Sequence, residues 1–243
     1  MRKIVLLVAL CLGIGNAFAQ DVDKLRDEGD AALKAKNYTE AVAKYSEYLK
    51  LNEYKDTVRI FNCGYSANQA KQYDTAAKFF DMAVKYKYNL DDSYVGEAMA
   101  YRNLGKNEEF FATVEAGLKE LPGNANLEKL LYTQSIKSGQ AAQKKGDFKT
   151  AEEQYKKVLS VSNKKYQENA LYSLGAMLYN QGATTLVKIN PLATSEPDKY
   201  KAEKGKADAQ LKSAKEYLDK ALALNPANAN AKKLVDAIAA SLK

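Results

Sequence analysis

Histidine and tryptophan are absent from this 243-residue chain, and cysteine occurs only twice. Without histidine, the usual imidazole ligands of a metal centre and the commonest general base are both missing. This weakens every enzymatic reading at once, and neither a cofactor nor a metal is expected. Arginine is scarce, at Arg2, Arg26, Arg59 and Arg102, and the lysines are scattered along helix faces. A nucleic-acid surface needs a contiguous basic stripe with arginine and stacking aromatics, so no nucleic-acid partner is expected. Long apolar runs are lacking after residue 14, so no transmembrane anchor is expected in the mature chain.

The exception is the first segment. Arg2 and Lys3 precede an apolar run from Ile4 to Ile14, followed by Ala17-Phe18-Ala19, the pattern of a secretory signal peptide over residues 1–19. The mature chain is then expected to begin at Gln20 and to be periplasmic or extracellular. Lipid modification of Cys11 is the competing reading, and Leu10 stands where that modification needs a small residue. Removal of the leader leaves 35 Lys+Arg against 30 Asp+Glu, a mild excess, and Cys63 as the remaining cysteine. Cys63 sits in an apolar pattern beside Phe61 and Gly64 and reads as a small buried hydrophobe.

What the chain does have is recurrence. KNYTEAVAKYSEYLKLN (Lys36 to Asn52) returns in degraded form as KQYDTAAKFFDMAVKYKY (Lys71 to Tyr88), KGDFKTAEEQYKKVLSVSN (Lys145 to Asn163) and LKSAKEYLDKALALNPAN (from Leu211). In each copy an alanine (Ala41, Ala76, Ala151, Ala214) is followed four residues later by a bulky side chain (Tyr45, Phe80, Tyr155, Leu218). That spacing marks one face of an α-helix. Ala41 to Ala76 is 35 residues, and Ala76 to Phe110, in a weaker copy, is 34. Glycines at Gly29, Gly64, Gly139 and Gly175 precede the copies, and Pro122 and Pro226 close units.

With that period and those residues, the chain resembles the tetratricopeptide repeat family from about Asp21 to Pro226. The resemblance implies an all-α fold: a right-handed superhelical solenoid of about five antiparallel helix pairs with a C-terminal capping helix. Residues 20–243 are expected to form a single such solenoid. Predicted pairs are Val22–Ala35 with Tyr38–Leu51, Lys55–Lys71 with Tyr73–Lys87, and Asp91–Leu104 with Asn107–Leu121. In the third pair Phe110 and Gly117 exchange bulk and space. A helix from Ala125 to Lys145 follows, two turns too long, and those turns are expected to project.

In the fifth copy Ala214 lies 39 residues past Gly175 instead of 12, so an insertion at about 181–207 separates its halves. The spacing of Leu174, Leu178, Gly182, Leu186 and Ile189 predicts a helix that runs on to Ile189 and stops at Asn190-Pro191. Ser195 is the expected cap of a second long helix from about Asp198 to Leu224. A mobile loop over 183–206 is the alternative. Residues 228–243 are expected to cap the array.

In this family the first helices of the pairs line a concave face, which implies partner contacts at Arg26, Phe61, Tyr65, Asn68, Gln69, Met99, Arg102, Gln140, Tyr172 and Tyr179. Amide side chains there can pair with both sides of a peptide backbone, and the aromatics offer flat contact. A terminal-carboxylate clamp of the kind some members carry is not expected: Arg26 and Asn62 match it, whereas Asp30 and Asp92 place acid where it needs amide and lysine.

The expected function is a non-catalytic scaffold of the cell envelope that binds a protein or peptide through the concave face or the long last pair. Self-association stays open. The rival is an enzyme or enzyme-associated domain acting on cell wall or another exported polymer, with Asp91-Asp92, Glu108-Glu109 or Glu152-Glu153 as acid and base. Sequence neighbours on a helix point about 100° apart, which disfavours each pair as a catalytic couple.

Overall fold

The computed structural model describes residues 21–242. The signal peptide, Cys11 and the Gln20 start therefore lie outside the described residues. Within them the chain is all-helical, without a strand. Two compact units are present, divided between Leu127 and Glu128.

The first unit holds α1 (21–34), α2 (Tyr38–Leu51), α3 (Thr57–Gln69), α4 (Tyr73–Lys85), α5 (Leu90–Asn103) and α6 (Asn107–Glu120). Each pair turns on the same hydrogen-bonded device. After α1, the Asn37 N–H reaches back to the Ala32 carbonyl and the Lys36 N–H to Leu33; Gln72 and Lys71 repeat this after α3, and Lys106 and Gly105 after α5. The residue that closes each turn is left-handed, with φ of 58° at Lys36, 60° at Lys71 and 73° at Gly105. These bonds satisfy helix carbonyls that would otherwise lack donors.

Packing within each pair follows from the glycines. Tyr45 lies over Gly29 and Phe80 over Gly64, each sixteen residues on, so a methyl group at Gly29 would meet the Tyr45 ring at 2.7 Å. Ala41, Tyr45, Ala76 and Phe80 are all buried as their spacing predicts. Phe80 also fills the space over Gly96 of the next pair, where a Cβ would stand 2.4 Å from its ring. In the third pair the exchange is complete: Phe110 is fully buried, and the space over Gly117 is taken by Tyr94 and Leu127.

The second unit contains most of α7 (Ala125–Lys144), then α8 (Phe148–Lys157) with a 3-10 turn at Val158–Ser160, α9 (Lys164–Ile189), α10 (Leu192–Ser195), α11 (Pro197–Leu224) and α12 (Ala229–Ser241). Tyr155 packs on Gly139, again sixteen residues apart. The extra length of α7 does not project, contrary to the expectation. Glu128 is buried and its carboxylate accepts the Ser162 N–H, while Tyr132 stacks on Tyr166 at 4.3 Å between ring centroids and 8° between planes. The added turns brace the α8–α9 connection.

The insertion is helical on both arms. Gly175 receives Leu218, and seven residues along α9 Gly182 receives Leu211, seven residues back along α11. The buried positions of α11 step Ala207, Leu211, Ala214, Leu218, Ala221, alternating four and three. That is the heptad seam of an antiparallel coiled-coil pair. One expectation fails in the connection: Ser195 ends the short α10 and bonds the Pro191 carbonyl, so the position before α11 falls to Glu196, which makes no side-chain cap bond. Pro197 opens α11, where its missing N–H has no helical partner to lose.

Candidate functional site

Seven of the ten expected contact residues lie in the first unit, and several are engaged internally. Arg26 is half-buried and donates to Asp23 and Asp27. Phe61 packs edge-on against Phe80 at 5.6 Å and tilts on Tyr88 at 5.9 Å, which makes it a margin of the core. Asn68 reaches from α3 to the Gly96 carbonyl of α5, joining neighbouring pairs. Tyr65 is 40% exposed beside Tyr38, Gln69 is exposed, and Met99 and Arg102 are half-buried.

Asp30, the acid that breaks the clamp pattern, has a structural use. Burial raises its carboxyl, but the Arg59 guanidinium and the Tyr45 hydroxyl outweigh this and hold it below the usual carboxylate range. On the next turn of α2, Tyr48 donates to Asp56 of the α2–α3 connection. The network ties α1, α2 and α3 together and leaves Asp30 occupied.

In the second unit two expected residues converge. Gln140 of α7 and Tyr172 of α9 line one groove of about 560 Å³ with Gln143, Lys144, Ser173 and Ala176, floored by the buried Tyr155 and Met177. The helical spacing of Gln140, Gln143 and Lys144 puts all three on one face. Tyr155 donates its hydroxyl to Gln143 at 3.0 Å, which fixes that amide at the groove. Tyr179, the tenth residue, is half-buried and packs toward α11 and α12 instead.

A second hollow of about 530 Å³, which the expectations missed, shares Gln143 with the groove. It is lined by Gln143, Phe148, Asn180, Gln181, Thr184, Thr185, Lys188 and Gln210. Gln181, Thr184, Thr185 and Lys188 form a stripe at i, i+3, i+4 and i+7 on α9, a signal readable from sequence once the helix is known to continue. Phe148 stands 40% exposed beside them.

Groups with catalytic potential lead elsewhere. Burial pushes the Cys63 thiol up to about 12, so it stays protonated near neutral pH, against the Val42 carbonyl and Ser46 hydroxyl. Glu97 is buried in α5, and desolvation followed by the nearby Asp81 charge raises its carboxyl to about 7, while Thr113 and Lys85 oppose the shift. Of the carboxylate pairs, Asp92 is exposed and accepts the Asn89 amide, Glu108 and Glu109 are exposed, and Glu152 is bound to Lys156. Among the described residues no group of three acidic or cysteine side chains could hold a metal ion, and no helix is long and apolar enough to cross a membrane.

Comparisons with known proteins agree with the packing. Tetratricopeptide repeat models match residues 26–90 and 136–165. A tetratricopeptide repeat protein of Bacteroides fragilis, known from its crystal structure, is 45% identical, superposes with a TM-score of 0.86, and the match covers 90% of this chain and 98% of that one. A tetratricopeptide repeat protein of Parabacteroides merdae matches over 90% of this chain and 99% of its own at 15% identity, with a TM-score of 0.42. With glycine-seated aromatics recurring at the repeat period, two model matches and a relative alike over nearly its whole length, this chain belongs to the tetratricopeptide repeat family.

Proposed function

We propose that this protein is a non-catalytic scaffold, exported to the periplasm or the cell exterior, that holds an extended segment of an envelope protein in the groove between α7 and α9. Tetratricopeptide repeat domains mediate protein and peptide binding and are typically non-catalytic. The observation that carries the site is the groove of about 560 Å³ in which Gln140, Gln143 and Tyr172 meet over the Tyr155–Met177 floor. Amides can pair with both N–H and C=O of a passing backbone, and the tyrosine faces give area with little rotamer entropy to lose. Export rests on the pattern of residues 1–19.

The test is affinity capture from the envelope fraction with wild type and a Gln140→Ala/Tyr172→Ala double variant. Gln140 is exposed, whereas Tyr172 is half-buried and also packs against the α11–α12 cluster, so retention of the fold is checked by helicity and thermal melting. Loss of a specific co-purifying protein supports the groove; an unchanged profile rejects it.

A further inference from the structure

Resting on that groove, we propose that the hollow built by the insertion is a subsite for a carboxylate side chain of the bound segment. Most of its lining lies outside the regular repeat: Gln181, Thr184, Thr185 and Lys188 belong to the lengthened part of α9 and Gln210 to that of α11, while Gln143, Phe148 and Asn180 come from the repeat itself.

Three observations converge on an anionic acceptor. First, Gln210 donates its amide nitrogen to Gln181 Oε1 at 3.2 Å, which fixes the Gln181 amide with Nε2 as its free end. That nitrogen is buried and has no hydrogen-bond partner. A buried donor left unpaired is unfavourable until an acceptor arrives, so the site is poised for an oxygen. Second, Lys188 stands two turns further along the same stripe without an ion-pair partner among the described residues, and no acidic side chain lines the hollow. A lining that holds an amide with an unpaired donor and a lysine, and no acid, matches a carboxylate better than a cationic group. Third, residues 128–243 carry 20 lysines against 12 acidic residues, a local excess that draws an acidic segment toward this unit. Phe148 provides an apolar wall for the methylenes that carry the carboxylate.

The hollow shares Gln143 with the main groove, so one extended segment can occupy both. Backbone is read at Gln140 and Gln143; the acidic side chain is read at Gln181 and Lys188.

The test uses fluorescein-labelled decapeptides of Gly, Ser and Ala that carry Glu, Gln or Lys at the same positions, measured by anisotropy against the mature chain. The Glu peptides should bind about tenfold tighter than their Gln isosteres, and Lys188→Gln should abolish that preference by weakening the Glu peptides far more than the Gln peptides. Gln140→Ala/Tyr172→Ala should weaken every peptide alike. Equal binding of Glu and Gln peptides, or an equal loss of both in Lys188→Gln, overturns the subsite and leaves the groove standing. If no peptide binds, groove and subsite fall together. Displacement of the Glu peptide by a single-stranded oligonucleotide of equal charge would also overturn it, because the site would then sense charge without carboxylate geometry.

Discussion

A methyl group added at Gly139 would stand 2.5 Å from the Tyr155 ring, closer than real side chains approach. Tyr155 is almost fully buried and its hydroxyl is held by Gln143, so it cannot easily yield. Gly139→Ala should therefore lose about 1–3 kcal/mol of stability in urea denaturation, through overpacking. Gly205 supplies the control: a Cβ there meets nothing within 4 Å, and Gly205→Ala should gain up to about 1 kcal/mol from helix propensity. Glu97 makes a different kind of prediction. Its folded pKa, about 7, exceeds the ordinary value of 4.5, so the native state keeps a proton that the unfolded chain has released. Its contribution is most favourable below pH 4.5, declines as pH rises toward 7, and is constant above that. Glu97→Gln should remove this decline and stabilise the protein at pH 8 by roughly 2–3 kcal/mol, read from denaturation at pH 5 and pH 8. Equal pH profiles for variant and wild type would show that the carboxyl titrates normally. The alanine and bulky positions of each copy were legible in the sequence because their burial follows helix periodicity. The unpaired Gln181 nitrogen was not, because satisfaction of an amide depends on a residue 29 positions away.

The lengthened α9–α11 pair is the element in which the chain departs most from its own repeat. Its seam places Gly175 against Leu218 and Gly182 against Leu211, seven residues apart on both arms. Removal of a matched heptad from each arm, residues 183–189 with 204–210, keeps the phase of the seam. That variant should fold cooperatively, lose helicity in proportion to the residues removed, and lose the preference for Glu peptides along with Thr184, Lys188 and Gln210. Removal of 183–186 alone turns one arm out of register and should lower the melting temperature sharply, because a four-residue shift takes the seam residues of one arm away from their partners. Equal melting of the two variants would reject the seam. The spacing of Leu174, Leu178, Gly182 and Leu186 already pointed to a continuing helix. The stop at Asn190-Pro191 was equally readable, since proline opposes helix on its N-terminal side. The cap was misread at Ser195 because a short turn, α10, intervenes and uses that hydroxyl for the Pro191 carbonyl. The extra turns of α7 were misread for a related reason. Their role is to pair Glu128 with Ser162 and Tyr132 with Tyr166, contacts that span 34 residues in each case.

At the scale of the whole chain the two units differ in charge: residues 21–127 carry 15 basic against 18 acidic residues, whereas 128–243 carry the basic excess. The acidic segment proposed as the ligand would therefore favour the second unit, which also carries the amide-lined groove. The proposed export makes a separate prediction: protein recovered from the envelope or medium should have the mass of a chain beginning at Gln20, as read by intact-mass spectrometry. A chain that retains Met1 and stays in the cytoplasm would reject export. By itself the sequence determined the repeat, its period, the helices and the residues that fill each pair, because these follow from spacing along a helix and from the volume of a side chain against a glycine. Only the tertiary structure decided which polar residues face open space together. Phe61 turned inward onto Phe80 of its own pair and Asn68 onto the next pair, Gln140 and Tyr172 met across a groove, and the insertion placed Gln181 and Lys188 beside it. Periodicity specifies a face, but the neighbour that covers or spares that face comes from distant chain, and one-dimensional spacing carries no record of it.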